Sequence, residues 1–210
     1  MKLRPFQSLG EEIANAVSHG LGALFGIIAL IMMLIKADHG NEVFGALVFG
    51  LSIIILYTMS TLYHAFKRDT KVKRLFKRFD HISIYILIGG TFAPIFIMVV
   101  EKPLGWYLLI GQWVLIAIGA TMKAIHIHKF QIPHLLLYII LGWSGLTLIG
   151  PLFDLSVYAF YFILAGGIAY TVGVIFYALS KVFKYSHFIW HIFVFLGTLF
   201  HFIAIYGYLL

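Results

Sequence analysis

Two histidines four residues apart open the last apolar stretch of this 210-residue chain, within Tyr185-Ser186-His187-Phe188-Ile189-Trp190-His191. On a helix that spacing projects His187 and His191 from one face, one turn apart. Two imidazoles so placed can share a divalent cation. Ser60 and His64 stand near the end of the second apolar stretch, and Asp80 opens the third. His64, His187 and His191 then supply three imidazole ligands from two helices. Three protein ligands and a water describe a catalytic rather than a structural zinc site. Water held by zinc reaches a pKa of about 7. Asp80 is placed to take a proton from it or to hold it by hydrogen bond. Ser60, one turn before His64, is placed to donate to a developing oxyanion or to orient the ligands. No base partner is specified for Ser60, so it is not read as a nucleophile. The chain has no cysteine, so a metal site must be built from His and carboxylate, and Zn²⁺ is the expected cofactor.

The elements that position these residues are membrane helices. The chain is 62% hydrophobic and 11% charged, with a mean hydropathy of +1.00. That leaves too little polar surface to face water all round. Apolar runs cover roughly 13–35, 43–66, 79–100, 104–122, 134–151, 157–180 and 187–209, most of them long enough to cross a hydrocarbon core. The expectation is an all-α integral membrane protein: one domain, 1–210, folded as a seven-transmembrane helix bundle. The fifth run is the shortest and the most interrupted, by Gly142, Gly145, Gly150 and Pro151. The first run is too long for a signal-peptide core and has no obvious cleavage site, so it is read as a helix that stays.

A net charge of +7 would point to nucleic acid in a soluble protein, but here the positions of the charges speak for topology, and no nucleic-acid partner is expected. Of the fifteen Lys and Arg, all but Lys36 and Lys102 fall on one face of a seven-span layout, Lys2 and Arg4 of the N-terminal tail among them. The positive-inside rule makes that face cytoplasmic, with the N-terminus inside and the C-terminus outside in a multi-pass protein of the inner (plasma) membrane. The basic joint from Lys67 to Arg78 is expected to meet anionic inner-leaflet headgroups, chiefly as a topology anchor, or as a short interfacial helix.

On this layout Ser60, His64, Asp80, His81, His187 and His191 share the cytoplasmic depth. The first span adds Glu12, Asn15 and His19 at i, i+3 and i+7. Ionisable groups inside a membrane are costly and face the bundle interior, which makes the cluster a functional candidate. The other histidines have plainer readings. His201 is an interhelical hydrogen-bonding residue, and His39, His126, His128 and His134 are solvent or interface residues. His81 faces headgroups beside Asp80, and Glu11 and Glu12 favour a helix N-terminus. Gly20, Gly22, Gly26, Gly89, Gly90, Gly166 and Gly167 are read as close-packing positions, and Pro94 as a kink.

Taken together, Glu12-Ile13-Ala14-Asn15-Ala16-Val17-Ser18-His19, Ser60-Thr61-Leu62-Tyr63-His64, Asp80-His81 and His187-Phe188-Ile189-Trp190-His191 resemble the haemolysin III family. That family is the bacterial branch of the progestin and adipoQ receptors, distant relatives of the alkaline ceramidases. The resemblance covers nearly the whole chain. It implies a seven-helix bundle with zinc in its cytoplasmic half, held by His64, His187 and His191, with Asp80 and Ser60 beside the bound water. The Glu12–Asn15–His19 stripe also matches a family motif. The eukaryotic receptors carry a longer N-terminal region, which this chain lacks. The family name implies lysis of blood cells, yet these spans read as permanent membrane residents.

Three functions follow in order of expectation. The first is a zinc-dependent hydrolase of a lipid amide or ester bond, tied to membrane lipid homeostasis. The ceramidase resemblance supplies its substrate class, and the residues supply only metal-assisted hydrolysis. The second is a non-catalytic lipid sensor in which zinc staples helices. The third is a pore. It ranks last because the extracellular halves read as almost uniformly apolar.

Overall fold

Ser8 starts the first helix by a reciprocal cap: its hydroxyl accepts from the Glu11 amide at 3.3 Å, and Glu11 Oε2 accepts from the Ser8 amide at 2.8 Å. In this computed structural model residues 7–127 and 129–210 are described; Lys2, Arg4 and His128 lie outside the described residues. The described chain is helical: α1 (Leu9–Lys36), α2 (Gly40–Ala65), α3 (Lys71–Met98), α4 (Leu104–Ile125), α5 (Gln131–Gly142), α6 (Ile149–Leu155), α7 (Val157–Leu179) and α8 (Ser186–Ala204). A 3₁₀ turn, Ser144–Leu148, joins α5 to α6, and a π turn, Ile205–Leu209, follows α8. Among the described residues there is no strand.

Six helices are long and apolar enough to cross a bilayer, namely α1 to α4, α7, and α8 with its π turn. Their amphipathicity is inverted, as lipid requires. Along α1 the buried stripe is Glu11, Asn15, His19, Gly22, Gly26, Ala29 and Met33, at helical spacings. The exposed stripe is Ile13, Val17, Leu21, Leu24, Ile28, Ile31 and Ile35. Apolar side chains face outward and the polar ones are sequestered.

Two expected elements differ. The fifth run is not one helix but the sequence α5, 3₁₀ turn, α6. Pro151 has no N–H to give to a helical turn ahead of it, so an unbroken helix through this stretch is disfavoured. The Ser144 hydroxyl instead donates to the Leu141 carbonyl at 2.7 Å, and Gln112 of α4 donates to Ser144 Oγ at 3.1 Å. The third run, expected from residue 79, begins at Lys71. Thr70 caps it, accepting from the Lys73 amide at 3.1 Å, so the second half of the basic joint is the opening of α3 rather than a separate interfacial helix. Pro94 does not end α3, which continues to Met98.

α3 is the most enclosed of the long helices, flanked by α2 and α4. α1 lies so close to α2 that a Cβ on Gly22 would stand 2.5 Å from the Tyr57 ring, and one on Gly26 would stand 2.7 Å from Ile53. Gly89, Gly90 and Gly166 are similarly tight, while Gly20 and Gly167 have ordinary room. At one end of the bundle Arg68 donates to the Gln7 carbonyl at 2.6 Å and the Tyr185 amide donates to Glu11 Oε1 at 2.9 Å. At the other end Lys36 Nζ donates to the Tyr206 carbonyl at 2.6 Å, and Tyr158 stacks near Tyr208. A cavity of ≈ 860 Å³ opens among α3, α4, α5, α7 and α8, toward the first of these ends.

Candidate metal centre

The last turn of α2 carries His64, and the first two turns of α8 carry His187 and His191. α8 can begin beside α1 because Tyr185 takes a left-handed backbone, with φ 59°, and its amide is held by Glu11. One nitrogen of each histidine lies within 4.8 Å of the others, a spacing that suits one metal ion. The Nε2 atoms of His64, His187 and His191 are all buried and have no hydrogen-bond partner.

The opposite ring nitrogens explain why. His64 Nδ1 lies 2.7 Å from Glu12 Oε2, a carboxylate that can only accept, so the proton sits on Nδ1. The Ser18 hydroxyl donates its proton to the Asn15 carbonyl at 3.0 Å and lies 3.2 Å from His191 Nδ1, which must therefore donate to it. Both imidazoles thus turn an Nε2 lone pair inward. Oriented lone pairs without a donor, backed by a carboxylate and a hydroxyl, are the outer-shell pattern of a metal site. Buried polar atoms are seldom left unmatched. The three residues fit a metal ion.

Around this trio the remaining expected residues take distinct places. Glu12 also pairs with Lys73 of α3 at 3.0 Å, so one carboxylate ties α1 to α2 and α3. His19 stacks on His191, with ring centroids 3.4 Å apart, and meets Tyr57 edge-on. Asn15 donates to Gln7 Oε1 at 2.9 Å. Asp80 is buried on α3, lines the cavity, and stands outside the close ligand set, with His81 Nδ1 at 3.4 Å from its carboxylate. Ser60 is buried one turn before His64; it lies within electrostatic reach of Asp80 without a hydrogen bond of normal geometry. The arrangement can hold a Lewis acid with a carboxylate and a hydroxyl at hand. His187 and Asp80 both line the cavity, which gives a substrate access to them.

Residues 7–202 match the sequence profile of the family described as Haemolysin-III related. The chain belongs to the haemolysin III family. It is 41% identical to hemolysin-3 of Bacillus cereus over 211 residues, covering 99% of this chain and 95% of that protein. It is 36% identical to the hemolysin-3 homolog of Bacillus subtilis (strain 168), covering 91% of each. The human monocyte to macrophage differentiation factor is 24% identical over 203 residues, covering 95% of this chain and 84% of that protein.

In this haemolysin III chain, sequence reasoning passed over Ser18 and Lys73. Ser18 carried a signal, as a hydroxyl beside His19 within an apolar helix. Lys73 carried none, because it sits among six other basic residues of one joint. Three plainer readings also change. His134 is buried rather than at the surface, with Nδ1 2.7 Å from the Tyr85 hydroxyl. His81 turns to the Lys77 carbonyl at 2.8 Å and lines the cavity. His201 donates to the Gly197 carbonyl of its own helix at 2.8 Å, not across helices.

Proposed function

We propose that this protein is a zinc-dependent hydrolase of a lipid amide or ester bond, resident in the inner membrane and linked to membrane lipid homeostasis. The observation that carries the reading is the convergence of three buried, unpartnered Nε2 atoms beside a lipid-sized cavity that reaches His187 and Asp80. His64, His187 and His191 would hold the metal, with Glu12 and Ser18 fixing the rings of His64 and His191. When bound, zinc supplies Lewis acidity that polarises a carbonyl and acidifies water. Asp80 accepts the proton of the attacking water and returns it to the leaving nitrogen or oxygen. Ser60 donates a hydrogen bond to the oxyanion that forms at the scissile carbonyl. Water is consumed, the C–N or C–O bond breaks, and a carboxylic acid and an amine or alcohol leave. The ceramidase resemblance supports the lipid substrate class.

The same reading includes seven crossings. It is supported by α4 carrying Lys123 to the cavity that Lys77 and Asp80 also line while α7 begins near the Tyr158–Tyr208 contact, with the α5–α6 stretch between them. The basic residues Arg68, Arg74, Lys77 and Lys181 line the cavity that reaches His187, which supports a cytoplasmic site, an outward C-terminus, and contact of the Lys67–Arg78 segment with anionic headgroups.

The second reading, a lipid sensor with structural zinc, is favoured by one feature: the ligands come from two helices, so a metal would lock α2 to α8. The pore reading draws little support beyond the metal end, where Ser52 and His201 donate to carbonyls of their own helices and the polar contacts across helices gather at Thr198, which meets Tyr57 and Tyr170. The deciding experiment measures metal content and fatty-acid release from lipid amides and esters, wild type beside Asp80→Asn. The hydrolase reading expects about one zinc per chain in both and release from the wild type alone. Equal release by both proteins removes Asp80 as the base. A folded wild type without metal removes the reading.

A further inference from the structure

The cavity has a second polar surface that hydrolysis does not use. α4 turns Lys123 into it, and this lysine is 4% exposed, with no hydrogen bond or ion pair among the described residues. Lys77 of α3 and Lys181, just beyond α7, line the same space, and Lys77 lies within electrostatic range of both other lysines. His134 of α5 completes the wall. It is 3% exposed, and its Nε2 is buried without a partner. When the Tyr85 hydroxyl donates to Nδ1, that Nε2 carries a proton with no acceptor.

Of the carboxylates of the cavity, Asp80 acts on Lys77 from a distance, and none pairs with Lys123. Glu12 is held by His64 and Lys73, Asp80 lies against His81, and Asp69 is exposed in the turn before α3. A lysine kept inside among like charges is costly unless an anion joins it. A lysine that only set topology would extend to the interface. Lys123 is buried instead.

We propose that Lys77, Lys123 and His134, with Lys181 at the rim, bind the anionic headgroup, a phosphate or carboxylate, of a lipid whose chain lies in the apolar part of the cavity. Ile84, Leu87, Ile88, Leu135 and Val174 line that part. Asp80 and His187 line the same cavity, so a headgroup anchored here leaves the bonds next to it within the space the metal trio serves. The substrate class of the hydrolase reading thereby narrows to anionic lipids. What happens to the lipid rests on that reading, but its binding does not.

Binding is measured on the purified protein in phosphatidylcholine nanodiscs, by equilibrium titration with dioctanoyl phosphatidate, inorganic phosphate and dioctanoylglycerol. Phosphatidate is expected to bind at least about tenfold more tightly than either other probe, and Lys123→Met to lose about tenfold or more of that affinity. Lys123→Met replaces a buried charge with an apolar chain of similar size, a change that favours folding, and Lys123→Arg restores binding. Lys184→Met, exposed at the same end, leaves it unchanged. Equal affinity for phosphate and phosphatidate overturns the lipid assignment. Equal affinity for dioctanoylglycerol, or unaltered binding by Lys123→Met, overturns the anion site. None of these readouts needs turnover. Phosphatidate binding through Lys123 without any hydrolysis keeps this site and removes the hydrolase reading; hydrolysis of neutral lipids without phosphatidate binding does the reverse.

Discussion

At the scale of single residues, the site is defined by which ring nitrogen each histidine spends on the protein. Glu12 and Ser18 take the Nδ1 protons of His64 and His191, and that choice leaves the Nε2 atoms for a metal. Removing a ligand and removing its backing should therefore differ in degree. His191→Ala should lose the metal from a protein that still folds, as elemental analysis of the two purified proteins would read. Glu12→Gln keeps a hydrogen-bond acceptor at His64 but gives up the charge that also holds Lys73. Its metal affinity should fall by about 10–100-fold, measured by competition with a chelator of known affinity. If Glu12→Gln binds metal like the wild type, the carboxylate serves only to tie helices together. The convergence of the three histidines was legible in the sequence because all three fall at one membrane depth, two of them on one helix face. Lys73 was not legible, since a lysine that bonds to Glu12 and one that sets topology look alike until the fold brings α1 alongside.

At the scale of elements, α1 is the part that most affects the site without supplying a ligand. It backs His64 through Glu12 and His191 through Ser18, half-buried residues flanking its buried stripe, and it fits closely against α2 where Gly22 meets Tyr57. A side chain at Gly22 must push the two helices apart. Gly22→Val should cost about 1–3 kcal/mol of stability, read as a lowered thermal midpoint. It should also weaken metal binding, although residue 22 touches no ligand. Normal metal affinity in a destabilised Gly22→Val protein would uncouple α1 from the centre. The helices themselves were readable from hydropathy, because lipid demands long apolar runs. The break between α5 and α6 was visible only as an interruption. Glycines and a proline mark where a helix is weak; they do not say that Gln112 and Ser144 will receive the freed chain. The start of α3 was misjudged for a related reason. Hydropathy marks where apolar sequence begins, while Thr70 and the Lys73 amide decide where the helix does.

At the scale of the whole molecule, orientation is the open prediction, and the absence of cysteine makes its test clean. A single cysteine at Lys184, beside the metal end, should react with a membrane-impermeant maleimide only after cells are opened. One at Gly207, exposed at the far end, should react in intact cells. The opposite pattern would invert the topology and place the metal outside. The bridge from Glu11 to the Tyr185 amide has a further consequence, for biosynthesis. The first helix leaves the ribosome long before the last, yet Glu11 holds the turn from which His187 and His191 project. Until α8 is made, Glu11 waits for the Tyr185 amide and Ser18 for His191. A nascent protein stalled before α8 has one histidine of the three, so the cluster cannot assemble until the last helix has been made.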